Sequence, residues 1–230
     1  VFFFFPILIV YISFLVFYRP QPSDLRQQRP SLLQNIFLIP ASLGLGILFM
    51  VIFLITSQGT FISIPEDILT KFSVEKMHYF SFHSLFKLLA SNFLHLNLIH
   101  LLSNLTALGL CSFYERRVGS KKFLLVFCIG IIGSDFSLLF YPSPMILIGS
   151  SGGVFALTGA YFTDFPDLHL KDWLSGLAVF LILFIVLSIP ENQFKNSFKN
   201  YHIDYLGHLF GGLAGIFYCR FFRHGQIYLS

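Results

Sequence analysis

Apolar positions along this chain neither alternate nor keep to one helical stripe; they run on for about 20 residues at a time between short polar clusters. A helix rising about 1.5 Å per residue needs about 20 apolar residues to cross the ~30 Å hydrocarbon core of a bilayer, so each run predicts one span. The first is Val1 to Tyr18, with no basic residue before it and no small-residue cleavage site after it, which favours a membrane span over a signal peptide. Core spans are predicted at about 33–55, 93–114, 123–141, 145–162, 173–189 and 203–222. The connection from about Gln58 to Asn92 differs: Phe80, Phe82, Leu85, Phe86, Leu88 and Leu89 are set among His78, His83 and Lys87, an amphipathic pattern suited to the membrane interface. The expected fold is all-α and polytopic, a six-helix bundle with one additional N-terminal transmembrane helix. Its expected divisions are the extra segment 1–18, a polar linker 19–32, the core 33–222 and a short tail 223–230.

Composition removes the soluble alternatives. Of 230 residues, 55% are hydrophobic and only 11% charged, against about 25% charged in soluble domains. A net charge of +4 would suggest nucleic acid in a soluble protein, but here the basic residues lie in short loops and read as topology signals. Arg19, Arg26 and Arg29 precede the first core span, Arg116, Arg117, Lys121 and Lys122 separate the second from the third, and Arg220 and Arg223 follow the last. If the spans alternate, all three clusters share one side, so the first core helix is expected to start in the cytoplasm. The loop with Asp164, Asp167, Lys171 and Asp172 lands on the same side and is acidic, a mild dissent. Cys111, Cys128 and Cys219 fall in apolar segments without CxxC spacing, which points to packing rather than to disulfides or zinc. No metal or cofactor is expected, and the expected surroundings are the lipid bilayer.

The informative residues are polar ones inside spans, because such a side chain in hydrocarbon costs about 2–3.5 kcal/mol or more unless paired or solvated. His100 and Asn104, four apart, share one face of the second core helix, about 9–15 Å below its outer start. Ser150 and Ser151, within Gly149-Ser-Ser-Gly-Gly153, open the fourth core helix at the outer side, and His208 begins the sixth at similar depth. A helix that starts within the bilayer leaves N–H groups in need of a polar cavity or ligand, and these can bind an oxyanion. A hydroxyl is a weak nucleophile until a base takes its proton, and His208 is the histidine placed to face Ser151. Gly152 with Ala156, and Gly211 with Gly215, are small-residue pairs that let the two helices approach closely. Singly, each residue has a plainer reading: Ser151 as a packing residue, His208 bonding a neighbouring carbonyl, His100 and Asn104 as an interhelical clamp. Their convergence favours nucleophilic serine catalysis.

The ordered set resembles the rhomboid family of intramembrane serine proteases over about Leu33 to Phe222. His95, His100 and Asn104 fit H-x4-H-x3-N in the second core helix; Glu115 to Ser120 resembles the E-x-R-x-G-S turn; Gly149-Ser150-Ser151-Gly152 with Ala156 fits G-x-S-G-x3-A; and Asp204, His208, Gly211 and Gly215 fit D-x3-H-x2-G-x3-G. The resemblance implies Ser151 as nucleophile, His208 as general base, and His100, Asn104 and the Ser151 backbone N–H as the oxyanion hole. It also implies an aromatic ring on the catalytic histidine from Phe155, and transmembrane protein segments as substrates. Two features depart from it: the long first loop lacks the family's Trp-Arg pair, and Val1 to Tyr18 adds to the core.

Three other readings compete. A non-catalytic relative that escorts membrane clients would normally have lost Ser151 or His208. A transporter or channel could use His100, Asp135 and His208 as a proton path, but no internal repeat is present. A metal hydrolase is weakest, since His95 and His100, five apart, would lie about 140° apart around a helix. Asp135 is either a third catalytic member or a locally hydrogen-bonded carboxylate, and Asp204 is expected to cap its helix.

Overall fold

Pro40 and Gly119 set two sharp breaks among the described helices. The computed structural model describes residues 4–17, 31–72, 81–141, 147–164 and 204–222, together with Leu174 and Ile185. Its helices are α1 Phe4–Phe17, α2 Leu32–Leu38, α3 Pro40–Thr56, α4 Glu66–Lys71, α5 Phe82–Ser91, α6 Leu98–Asp135, α7 Ser151–Asp164 and α8 Tyr205–Phe221, with a 3-10 turn at Phe136–Phe140. Among the described residues the one strand-like pairing is an isolated bridge between Ser63 and Asn97. The predicted span at 173–189 lies outside the described residues apart from Leu174 and Ile185.

The predicted span 33–55 is not one helix: α2 and α3 meet at 78°. Pro40 has no N–H to give and its ring pushes the residue before it out of the helical region, so Ile39 sits at φ −133, ψ 39. The same proline suits the first position of α3. The first N–H groups of α3, which have no partner within the helix, are met from a distant part of the chain. The buried Glu115 carboxylate accepts from Ala41 N at 2.7 Å and from Ser42 N at 2.8 Å, and hydroxyls of Ser42 and Ser120 donate to it at 2.6 and 2.7 Å. A carboxylate here caps a helix that has no side-chain cap of its own.

The second break divides α6. Its 38 residues would be about 57 Å long if straight, nearly twice a bilayer's hydrocarbon thickness. At Gly119 the backbone takes φ 77, ψ 159, a region essentially restricted to glycine. A side chain there would meet nothing within 4 Å, so the backbone angle and not space demands glycine. The two arms fold back on each other along α7. Tyr114 Oη donates to Asp164 Oδ2 at 2.5 Å and Lys122 Nζ reaches the same oxygen at 2.7 Å, so both sides of the break meet the end of α7. At the start of α7, Asn104 lies on Ser150 and Ser134 lies against Gly152. Counting both arms and the 3-10 turn, Leu98–Phe140 is the one described helix long and apolar enough to cross a membrane by itself; α2 and α3 qualify only as a bent pair.

α8 runs parallel to α7 at very short range: a Cβ on Gly211 would stand 2.4 Å from Gly152 O, and one on Gly215 would stand 2.2 Å from Ala156 O. α1 seats Tyr11 over Gly46 of α3 and Phe14 over Gly109 of α6. Its last carbonyls, Leu15 O and Val16 O, accept from Asn35 Nδ2 at 2.7 and 3.1 Å, and Arg116 donates to Asn35 Oδ1. α5 has the pattern of an interfacial helix, with Phe82, Leu85, Phe86 and Leu89 exposed and Ser84, Leu88 and Ser91 buried. Cys111 and Cys219 are buried packing residues, whereas Cys128 is exposed.

Candidate active site at the mouth of α7

Three consecutive residues leading into α7 are each tied to a different helix. Gly149 N–H donates to Ser91 O at the end of α5, at 3.2 Å. Ser150 Oγ donates to Asn104 Oδ1 on α6, at 3.3 Å. Ser151 Oγ lies 2.8 Å from His208 Nε2 on α8. Gly149 is required twice over: its φ is 109, and a Cβ would fall 2.7 Å from His100 Nε2.

His208 is oriented from two directions. Asp204 caps α8 by accepting from Gly207 N at 2.7 Å, while Ser137 Oγ donates to its other oxygen at 2.9 Å. That fixes the first turn, which carries His208. The His208 ring lies 4.6 Å from the Phe155 ring, one turn along α7 from Ser151, with planes 33° apart. Gly211 and Gly215, one and two turns beyond His208, make the close approach to Gly152 and Ala156 that brings the hydroxyl within bonding range.

On α6, Asn97 caps the helix by accepting from His100 N at 2.8 Å. Leu96 N–H points to His100 Nδ1 at 3.4 Å, which makes Nδ1 the acceptor and leaves the ring proton on Nε2. His100 Nε2 is buried beside Gly149 and has no hydrogen-bond partner among the described residues. Asn104 Nδ2 donates to His100 O at 3.1 Å, so one of its two N–H bonds is engaged within its own helix.

Two expectations change. α6 begins at Leu98, five residues later than the predicted 93, so His100 and Asn104 lie about 3 and 9 Å along it. His95 is not on that helix at all: it sits in the segment before the Asn97 cap, fully buried, with its ring 5.2 Å from both the Phe49 and His100 rings. The helical-wheel argument that separated His95 from His100 therefore does not apply. Asp135 contacts Asn92, whose Nδ2 donates to Oδ1 at 3.1 Å. Sequence reasoning missed what Ser150 and the Ser91-Asn92 pair do. The doubled serine and the polar pair closing an amphipathic helix were the available signals.

Residues 83–225 match the family model described as Rhomboid domain. A protein of Bacillus subtilis (strain 168), named "Putative rhomboid protease YdcA", is 32% identical over 133 residues, which cover 56% of this chain and 63% of that protein. The match thus spans less than two thirds of the relative's length, and the family match begins inside the first loop, beyond α1 to α4.

Proposed function

The chain belongs to the rhomboid family and is a membrane protein, and from that premise we propose that it is a multi-pass intramembrane serine protease working through a Ser151–His208 dyad. The observation that carries the proposal is the 2.8 Å approach of Ser151 Oγ to His208 Nε2, both buried, at the start of a helix. His208 accepts the Ser151 proton as the hydroxyl attacks a substrate carbonyl, then returns it to the leaving amine; water completes hydrolysis of the acyl-enzyme. The oxyanion is met by the Ser151 N–H at the helix start, by His100 Nε2–H and by the free N–H of the Asn104 amide. Phe155 keeps the imidazole plane fixed while its charge changes.

The substrate class follows from surroundings and depth. From Ser151 to Asp164, α7 rises about 20 Å. With Lys122 and its basic neighbours taken as the cytoplasmic boundary, Ser151 lies roughly 10 Å below the opposite boundary of a ~30 Å hydrocarbon layer. A transmembrane helix hides its carbonyls in i to i−4 bonds, so the cleaved segment must unwind near that outer face, where glycine, proline or small residues weaken it.

The test is incubation of the detergent-purified chain with a single-span protein substrate and, separately, a fluorophosphonate probe, beside Ser151→Ala. Cleavage and labelling that vanish together in Ser151→Ala, with the label mapped by mass to Ser151, are expected. Labelling on Ser150, or labelling that survives the substitution, refutes the assignment.

A further inference from the structure

Asp135 is an ionisable group near the site for which dyad chemistry has no use. It is the last residue of α6, and its Oδ1 accepts from Asn92 Nδ2 at 3.1 Å. The same Nδ2 donates to Leu88 O at 2.8 Å, and Ser91 Oγ donates to that oxygen at 2.8 Å as well. The last turn of α5 is therefore closed by two buried side chains. A carboxylate only accepts, so Asp135 also fixes which way the Asn92 amide faces: nitrogen toward Asp135 and Leu88, oxygen away.

Ser91, held in that turn, presents its carbonyl to two donors, Leu94 N–H at 3.0 Å and Gly149 N–H at 3.2 Å. Gly149 is the positive-φ residue that aims the chain into Ser150 and Ser151. The path from Asp135 to the nucleophile runs through one amide side chain, one helix end and one backbone hydrogen bond.

We infer that Asp135 is a positioning residue, acting through Asn92 and the Ser91 carbonyl to hold Gly149 and thereby the register of Ser151 against His208. Its effect on turnover rests on the proposed protease reading; the anchoring of Gly149 does not. The function needs an acceptor at 135 and not a charge, which separates it from a proton relay.

Hydrogen exchange over residues 147–151 reads the anchor without any activity. Asp135→Ala and Asn92→Ala are each expected to speed exchange there by about fivefold or more, with Asp135→Asn close to wild type. Turnover per probe-labelled site should fall about tenfold in both alanine variants with KM within about twofold, and the double variant should be no worse than the weaker single one. Unchanged exchange in Asp135→Ala overturns the inference. So does an Asp135→Asn loss as large as that of Asp135→Ala, which would mark a charge relay, or a normal per-site kcat with lowered melting, which would mark stability alone. If Asp135→Ala fails to fold, Asn92→Ala and Asp135→Asn carry the same comparison. A wild-type chain that takes no probe refutes the protease reading, and the exchange result still decides the anchor.

Discussion

Gly211→Ala is the sharpest test of how packing makes the site, because one methyl group is added three residues from His208. The new Cβ would stand 2.4 Å from Gly152 O and 2.8 Å from Gly152 Cα. Carbon–oxygen contact needs about 3.2 Å, so α7 and α8 must separate locally by roughly 0.8–1 Å, and backbone cannot swing aside as a side chain end can. His208 lies one turn earlier on the same face as Gly211, so the displacement passes to the dyad. The Ser151–His208 approach of 2.8 Å would open to about 3.6 Å, beyond hydrogen-bond reach. Misplacement by about 1 Å costs on the order of 10²-fold in rate, and overpacking about 1–3 kcal/mol in stability.

The assay is kcat per fluorophosphonate-labelled site on a single-span substrate, with melting measured on the same preparation. The control sits beside it: a Cβ on Gly212 would meet Phe155 O at 3.7 Å, an ordinary contact. Gly212→Ala should therefore keep kcat within about threefold and gain slightly in helix stability. A Gly211→Ala variant with per-site kcat within about threefold of wild type would refute the claim that the Gly211–Gly152 contact sets the dyad distance.

Three further outcomes are expected. Asn104→Ala should lower kcat by about 10–10³-fold with little change in KM, since it removes a proposed oxyanion donor and the acceptor for Ser150; near-normal kcat with a large melting loss would make the residue a clamp instead. His208→Ala should abolish turnover, whereas Asp204→Asn, which keeps a good helix cap, should stay within about tenfold in a cleavage assay. Glu115→Gln should lose about 2–4 kcal/mol in chemical or thermal unfolding by leaving donors on Ala41, Ser42 or Ser120 unmet, while per-site kcat of the folded fraction stays near normal.

Serine, histidine and small residues at helical spacing made the Ser151–His208 contact legible, because pairing the two required only that two helices bearing matched glycines lie side by side. The depth of His100 was not legible. Hydropathy counts Phe93 to Leu96 as span, but the next residue, Asn97, caps the helix, and a cap competes with the helix through hydrogen bonds that hydropathy does not see. The break between α2 and α3 is written in Pro40, but the mostly apolar run on both sides of it reads as one span. The anchoring of Gly149 by Ser91 joins residues 58 positions apart through a carbonyl, and no side-chain pattern encodes a backbone acceptor.

The lysine-paired and helix-closing carboxylates Asp164 and Glu115 lie at the opposite end of the bundle from the proposed catalytic site, and this division bears on why so polar a site survives in so apolar a chain. At one end Glu115 closes α3 and Asp164 gathers Tyr114 and Lys122, so full charges there are met by donors or by an opposite charge. At the other end, about 20 Å along α7, the groups around Ser151 are hydroxyls, amides, imidazoles and backbone N–H, and the two carboxylates nearby, Asp204 and Asp135, are held by hydrogen-bond donors at helix ends. Neutral groups cost less to bury than ions, and their dipoles can be fixed in advance for a charge that exists only during reaction. Such a site needs rigid spacing more than it needs strong fields. The glycine contacts between α7 and α8, and the three separate ties on Gly149, Ser150 and Ser151, supply that spacing. A substitution at the charged end should therefore register as stability, and one at the glycine contacts should register as rate, a separation that Glu115→Gln and Gly211→Ala measured on one substrate will either display or deny.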